Sequence, residues 1–126
     1  MPETSAAQIR VGIDLVQISR IAESIERFGA RFLRRVYTDG EIDYACSAPT
    51  SEGERLAARF AAKEATKKAL GLDGVGWRDI EVQRNASGAC HLVLYGAARA
   101  AAGAARLALS MSHDGNQATA VVIAYE

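Results

Sequence analysis

The stretch from Glu52 to Leu70 contains no proline and many alanines, a composition that favours one uninterrupted helix. Ser51 stands where an N-cap belongs, Glu54 follows three residues later to complete a capping box, and Gly71 stands where helices commonly stop. A helix of this length in a chain of 126 residues claims much of the core, so every other segment must pack around it.

Leu56, Phe60, Glu64 and Lys68 fall at successive steps of four within that helix. If Leu56 and Phe60 face the core, the Glu64 carboxylate leaves the backbone on nearly the same face. Such a carboxylate needs a cation. Lys68 lies one turn on, and Lys63 and Lys67 border the stripe. Two readings stand side by side: a helix-surface pair worth about 0.3–0.5 kcal/mol, or a functional carboxylate.

The chain suits a single domain able to bury a real core. Fifteen basic and fifteen acidic side chains cancel, which argues against a nucleic-acid binder. No apolar run is long enough to cross a bilayer, and Met1-Pro2-Glu3-Thr4-Ser5 lacks the basic and apolar regions of a signal peptide, so a cytoplasmic location away from membranes is expected. Cys46 and Cys90 have neither metal-ligand spacing nor a histidine set nearby and are expected as free thiols.

Residues 1 to 8 are small and polar and read as a disordered leader, which leaves 9 to 126 as the folded domain. Ile9, Val11 and Ile13 alternate, predicting a short strand with Asp14 at its end, and Gly12 permits close approach of another group. Asp14 is either a ligand or base at the strand end or the N-cap of the next helix. Ile18, Ile21, Ile25 and Phe28 recur at helical spacing and predict a helix from about Leu15 to Phe28. From Leu15 to Tyr37 five arginines (20, 27, 31, 34 and 35) face only Glu23 and Glu26, which marks either a solvated face or a docking surface for an acidic partner. Thr38 and Glu41 form a second capping-box pattern opening a short helix through Cys46.

The second half changes character. Residues 79 to 84 and 89 to 94 alternate like strands around hairpin chemistry at Asn85-Ala86-Ser87-Gly88. Residues 95 to 105 are rich in alanine and helical in propensity, and 107 to 112 and 118 to 125 predict two further strands. His91 lies in mid-strand and carries no role. His113, between Ser112 and Asp114 in a loop of small residues, sits where an imidazole can meet an anion. The sum is one α+β domain in which a long helix packs on an antiparallel sheet.

Three segments in order, Gly12-Ile13-Asp14-Leu15-Val16 through Ile21, Arg59-Phe60-Ala61-Ala62-Lys63-Glu64-Ala65 through Leu70, and Ser110-Met111-Ser112-His113-Asp114, resemble the signature motifs of the holo-[acyl-carrier-protein] synthases. These are phosphopantetheinyl transferases, and the similarity runs from about Arg10 to the C-terminus. It implies the 4′-phosphopantetheinyl transferase fold and transfer of the 4′-phosphopantetheine of coenzyme A to a serine of apo acyl carrier protein, with adenosine 3′,5′-bisphosphate released. The resemblance makes Asp14 and Glu64 ligands of Mg²⁺. That ion suits few carboxylates plus water and phosphate oxygens, and it neutralises charge on the breaking pyrophosphate.

By the same resemblance Lys63 and Lys68 lie near the coenzyme A phosphates, Ser112 and His113 line the nucleotide end, and Asp14, Glu64 and Lys68 carry the catalysis. Glu64, or a water it orients, is implied as the base for the carrier serine. Arg20, Arg27, Arg31 and Arg35 fall on the region that grips the acidic helix of the carrier. Family members of this length are homotrimers with the active site at a subunit boundary, serving fatty-acid or polyketide assembly. Two departures stand out: Cys90 replaces a frequent proline, and the segment from Arg20 to Thr38 is a residue longer than in some relatives. A catalytically silent carrier-binding homologue would lack Asp14, Glu64 or Lys68, and this chain keeps all three.

Overall fold

The computed structural model describes residues 8 to 126, so the leader expected over 1 to 8 lies, apart from Gln8, outside the described residues. Strand β1 (Ile9–Gln17) pairs antiparallel with β5 (Gln117–Tyr125), which pairs on its other side with β4 (Arg106–Asp114), giving the order β1-β5-β4. The register sets Gly12 opposite Val122 and both Asp14 and Met111 opposite Ala120.

Helix α4 (Glu52–Leu70) packs across β1 and β5. The facing side chains are small: Ala61, Ala62, Ala65 and Ala69 on the helix meet Ala120, Val122 and Ala124 on the sheet. Gly12 allows the closest approach, since a Cβ there would lie 2.0 Å from the Ala65 carbonyl oxygen. The expected need for glycine at this position is borne out. At the far end, Gly71 adopts the left-handed conformation (φ 64°), and the Leu72 N–H donates to the Lys67 carbonyl at 2.9 Å.

The other side of α4 is covered by helices α1 (Ile18–Phe28), α2 (Ala30–Val36) and α3 (Asp39–Cys46), with Ile21, Val36, Tyr37, Ala45, Leu56 and Ala57 forming a second core. The helix is therefore buried nearly all round, and Phe60 is only half-buried while Leu56 is fully so. The Thr38–Glu41 capping box forms as expected. The one expected at Ser51 does not, because a 3₁₀ turn over Pro49–Ser51 runs straight into α4 and leaves the serine side chain without a cap bond. The arginine-rich stretch after Gly29 forms α2, a helix beyond those expected from the sequence.

Strands β2 (Ile80–Arg84) and β3 (Cys90–Leu94) make a hairpin of their own, and α5 (Gly96–Ala102) leads back to β4. The strands of the second half thus belong to two sheets, and the larger one is completed by the N-terminal strand. Among the described residues no helix is long and apolar enough to cross a membrane.

Candidate active site

Asp14 lies inside β1 and not at its end, because the strand runs on to Gln17, which takes the N-cap position of α1. The N-cap alternative for Asp14 is thereby removed. Strand alternation puts Asp14 on the face shared by Gly12 and Val16. From the last turn of α4 the Lys68 ammonium donates to Asp14 Oδ1 at 3.2 Å and to the Ile13 carbonyl at 3.0 Å. Lys68 therefore pairs across elements with Asp14, and Glu64 takes part in no ion pair among the described residues. Asp14, Gln17, Arg20, Phe32, Phe60 and Glu64 share one cavity of about 560 Å³.

Fifty residues separate the two carboxylates in sequence, and the strand-on-helix packing brings them to one cavity. Among the described residues no group of three or more histidine, cysteine or acidic side chains could enclose a metal. A pair of hard oxygen ligands with room beside them fits magnesium, which keeps several waters and takes phosphate oxygens for the rest.

A second cavity, of about 340 Å³, is lined by Tyr44, Arg55, Arg59, Arg84, Ser112 and His113. Three guanidinium groups surround the Tyr44 ring: Arg55 at 4.0 Å, Arg59 at 4.4 Å and Arg84 at 5.4 Å from its centre. Arg84 also donates to the Tyr44 hydroxyl, and Arg55 to the Tyr44 carbonyl at 2.8 Å. Arg59 is buried, its Nε has no partner, and burial pushes the guanidinium below its usual range. A buried cation short of partners is what an incoming anion would complete. His113 Nε2 lies 3.7 Å from Glu54 Oε2 at the rim.

This cationic cluster escaped the sequence reading. Arg55, Arg59 and Lys63 follow each other at steps of four on α4, and that basic stripe was the available signal. The tyrosine that gathers Arg55, Arg59 and Arg84 lies on another helix, and no local pattern points to it.

The assignment of Lys63 to the coenzyme A phosphates is corrected. Its side chain is fully buried and lines neither cavity, with the ammonium 2.7 Å from Glu41 Oε1. The ammonium donates to the Trp77 carbonyl at 3.0 Å and to that of Ile80. All three of its donor positions are thus spoken for inside the protein. Burial lowers its proton affinity, and Glu41 opposes that shift.

The four arginines expected to bind a partner divide by element. Arg20 lines the cavity of Asp14 and Glu64. Arg31 and Arg35 line a neighbouring apolar groove with Phe28 and Trp77, and Phe32 and Phe60 border both spaces. The Arg27 guanidinium lies 5.4 Å from the centre of the Phe28 ring.

The model of the 4′-phosphopantetheinyl transferase superfamily matches residues 10–122. The holo-[acyl-carrier-protein] synthase of Koribacter versatilis is 49% identical over 118 residues, covering 89% of this chain and 94% of that protein. The ACPS–CoA complex of Chronobacterium ammoniagenes superposes with a TM-score of 0.83 at 36% identity, covering 93% of this chain and 96% of that one. A Bacillus anthracis holo-(acyl-carrier-protein) synthase in complex with CoA (3′,5′-ADP) gives 0.80 at 30% identity, covering 95% and 98%.

Proposed function

This chain belongs to the 4′-phosphopantetheinyl transferase superfamily, and from that membership and its two cavities we infer that it converts apo acyl carrier protein to the holo form. The carrier's serine oxygen bonds to the phosphorus that bears the pantetheine arm of coenzyme A. The bond from that phosphorus to the bridging oxygen breaks, and adenosine 3′,5′-bisphosphate leaves. The observation that carries this reading is the meeting of Asp14 from β1 and Glu64 from α4 in one cavity beside Lys68 and Arg20.

Asp14 and Glu64 would hold Mg²⁺, which supplies charge neutralisation at the pyrophosphate when bound. Lys68 brings a mobile ammonium to the same oxygens. A carboxylate has two oxygens, so Glu64 retains one to take the proton of the carrier serine. Arg55, Arg59 and Arg84, with Ser112 and His113, receive the phosphate at the nucleotide end. The arginines of α1 and α2 meet the acidic helix of the carrier, and the apolar wall of Phe28, Phe32 and Trp77 covers its non-polar side chains.

The active form is a homotrimer working in the cytoplasm for fatty-acid or polyketide assembly. Two observations support the assembly. The two cavities of one chain share no lining residue, as expected where the substrate spans two copies. The sheet face away from α4 exposes Ile9, Val11, Ile13 and Leu15 by 72%, 64%, 62% and 62%, and Ile123 and Tyr125 continue the patch.

The test is to mix the protein with apo carrier protein, coenzyme A and Mg²⁺ and to weigh the carrier. A gain of one phosphopantetheine is expected, abolished by Glu64→Gln or by chelation and restored by added Mg²⁺. No gain with any carrier overturns the reading, and normal turnover by Glu64→Gln overturns the metal assignment.

A further inference from the structure

Helix α1 begins without help from its own residues: Gln17 occupies the N-cap and gives no side-chain cap bond. Two of the free N–H groups of its first turn are instead satisfied from the loop before β5. The Ile18 N–H donates to the Asn116 carbonyl at 2.8 Å, and the Ser19 N–H donates to Asn116 Oδ1 at 2.9 Å. Asn116 Nδ2 returns a bond to Ser19 Oγ at 2.9 Å.

Asn116 is free to do this because of the turn it occupies. Asp114 pairs with Gln117, which leaves Gly115 and Asn116 as a two-residue hairpin loop between β4 and β5. Gly115 takes a positive φ of 58° at the first central position, where loops of this kind need glycine. The next residue then presents both its carbonyl and its side chain outward.

The geometry points to Asn116 as a positioning residue for carrier recognition, acting as an N-cap supplied across 97 residues of chain. The inference rests on the proposed docking role of α1. Arg20 follows Ser19 directly and lines the cavity of Asp14 and Glu64, so the angle at which α1 leaves the sheet sets where that guanidinium meets the carrier. Gln117, beside Asn116, lines the same cavity, and His113, on the same hairpin, lines the cationic one. One hairpin thus joins the docking helix to the linings of both cavities of the chain.

The experiment measures KM for carrier protein and for coenzyme A with Asn116→Ala, Asn116→Asp and Arg20→Glu. Losing the cap is expected to raise the carrier KM about tenfold and leave the coenzyme A KM and kcat within about twofold. Asn116→Asp keeps the acceptor for the Ser19 N–H and adds a negative charge favourable at a helix N-terminus, so it should restore the carrier KM. If Asn116→Ala does not fold, Asn116→Gln, whose extra methylene misplaces the same amide, should show the same selective rise. Unchanged carrier KM, or equal rises for both substrates, overturns the inference while Arg20→Glu still raises the carrier KM. If Arg20→Glu leaves carrier KM unchanged, the docking reading falls and the inference with it.

Discussion

Lys68, from the last turn of α4, closes on Asp14 of β1 with 3.2 Å between ammonium and carboxylate. It passes over Glu64, one turn below it on its own helix, which belongs to no ion pair among the described residues. The ammonium side of the pair is open to water, with Lys68 exposed by 57% and Asp14 by 18%, so the pair holds little of the fold together, and the role proposed for Lys68 needs only that its ammonium turn from Asp14 to a phosphate.

Lys68→Met should therefore lower kcat about a hundredfold, the scale of losing one preorganised charge at a reacting centre. The urea midpoint should hardly move, because an exposed pair contributes about 0–1 kcal/mol. Steady-state kinetics and a denaturant titration on the same preparation check both halves. A large loss of stability with little loss of turnover would reassign Lys68 to the scaffold.

Arg59→Met should raise the KM for coenzyme A by on the order of ten- to a hundredfold, as expected when a charge-assisted bond to phosphate is lost. The carrier KM should stay put, since Arg59 lies in the cavity of Ser112 and His113 and not in that of Arg20. Dephospho-coenzyme A, which lacks the 3′-phosphate, should lose its disadvantage in this variant if that phosphate is the one bound.

Lys63→Met leaves the Glu41 carboxylate buried without its cation and should cost about 3–5 kcal/mol. Adding Glu41→Gln removes the stranded charge yet keeps an amide oxygen for the Thr38 N–H or the Val82 N–H, which now donate to Glu41 at 2.9 and 2.8 Å. The double variant should recover a good part of the loss, measured by urea unfolding. Coenzyme A affinity should be alike in every variant that folds.

Acid should find Glu81. Burial alone would raise its pKa, but hydrogen bonds from Thr38, Tyr95 and Gln83 together with the charge of Lys63 outweigh burial and hold the carboxyl below its usual range. A depressed native pKa means that the stabilisation is complete above the unfolded value, about 4.3, and is lost as pH falls through the native one. Glu81→Gln should be less stable at neutral pH and should lose stability less steeply below about pH 4. Urea midpoints from pH 7 to pH 3 that run parallel for the two proteins would exclude this role.

The sequence made the scaffold legible where one residue type had one physical use. Alanines without proline announced α4, Gly12 announced the close passage of Ala65, and the Thr38–Glu41 box announced α3. Asp14 and Glu64 were named from motif resemblance; their joint cavity depends on β1 lying under α4, a long-range packing that periodicity does not encode. Lys63 was misplaced because its spacing on the helix is the same whether it faces phosphate or Glu41, and only the burial of α4 by α3 and the segment before β2 decides between them. Arg59 escapes notice for the converse reason: a basic residue on an alanine-rich helix looks solvated until the Tyr44 ring, from another helix, packs against it.

The register of β1 against β5 joins a strand to one synthesised well after it. Asp14 gains its full set of strand neighbours only after β5 has left the ribosome, and the turn that anchors α1 emerges just before it. A nascent chain must therefore carry its oily first strand unpaired while the intervening segments are synthesised. Completion of the site therefore waits on a pairing between segments far apart in the chain, so the two carboxylates cannot share their cavity until that long loop has closed.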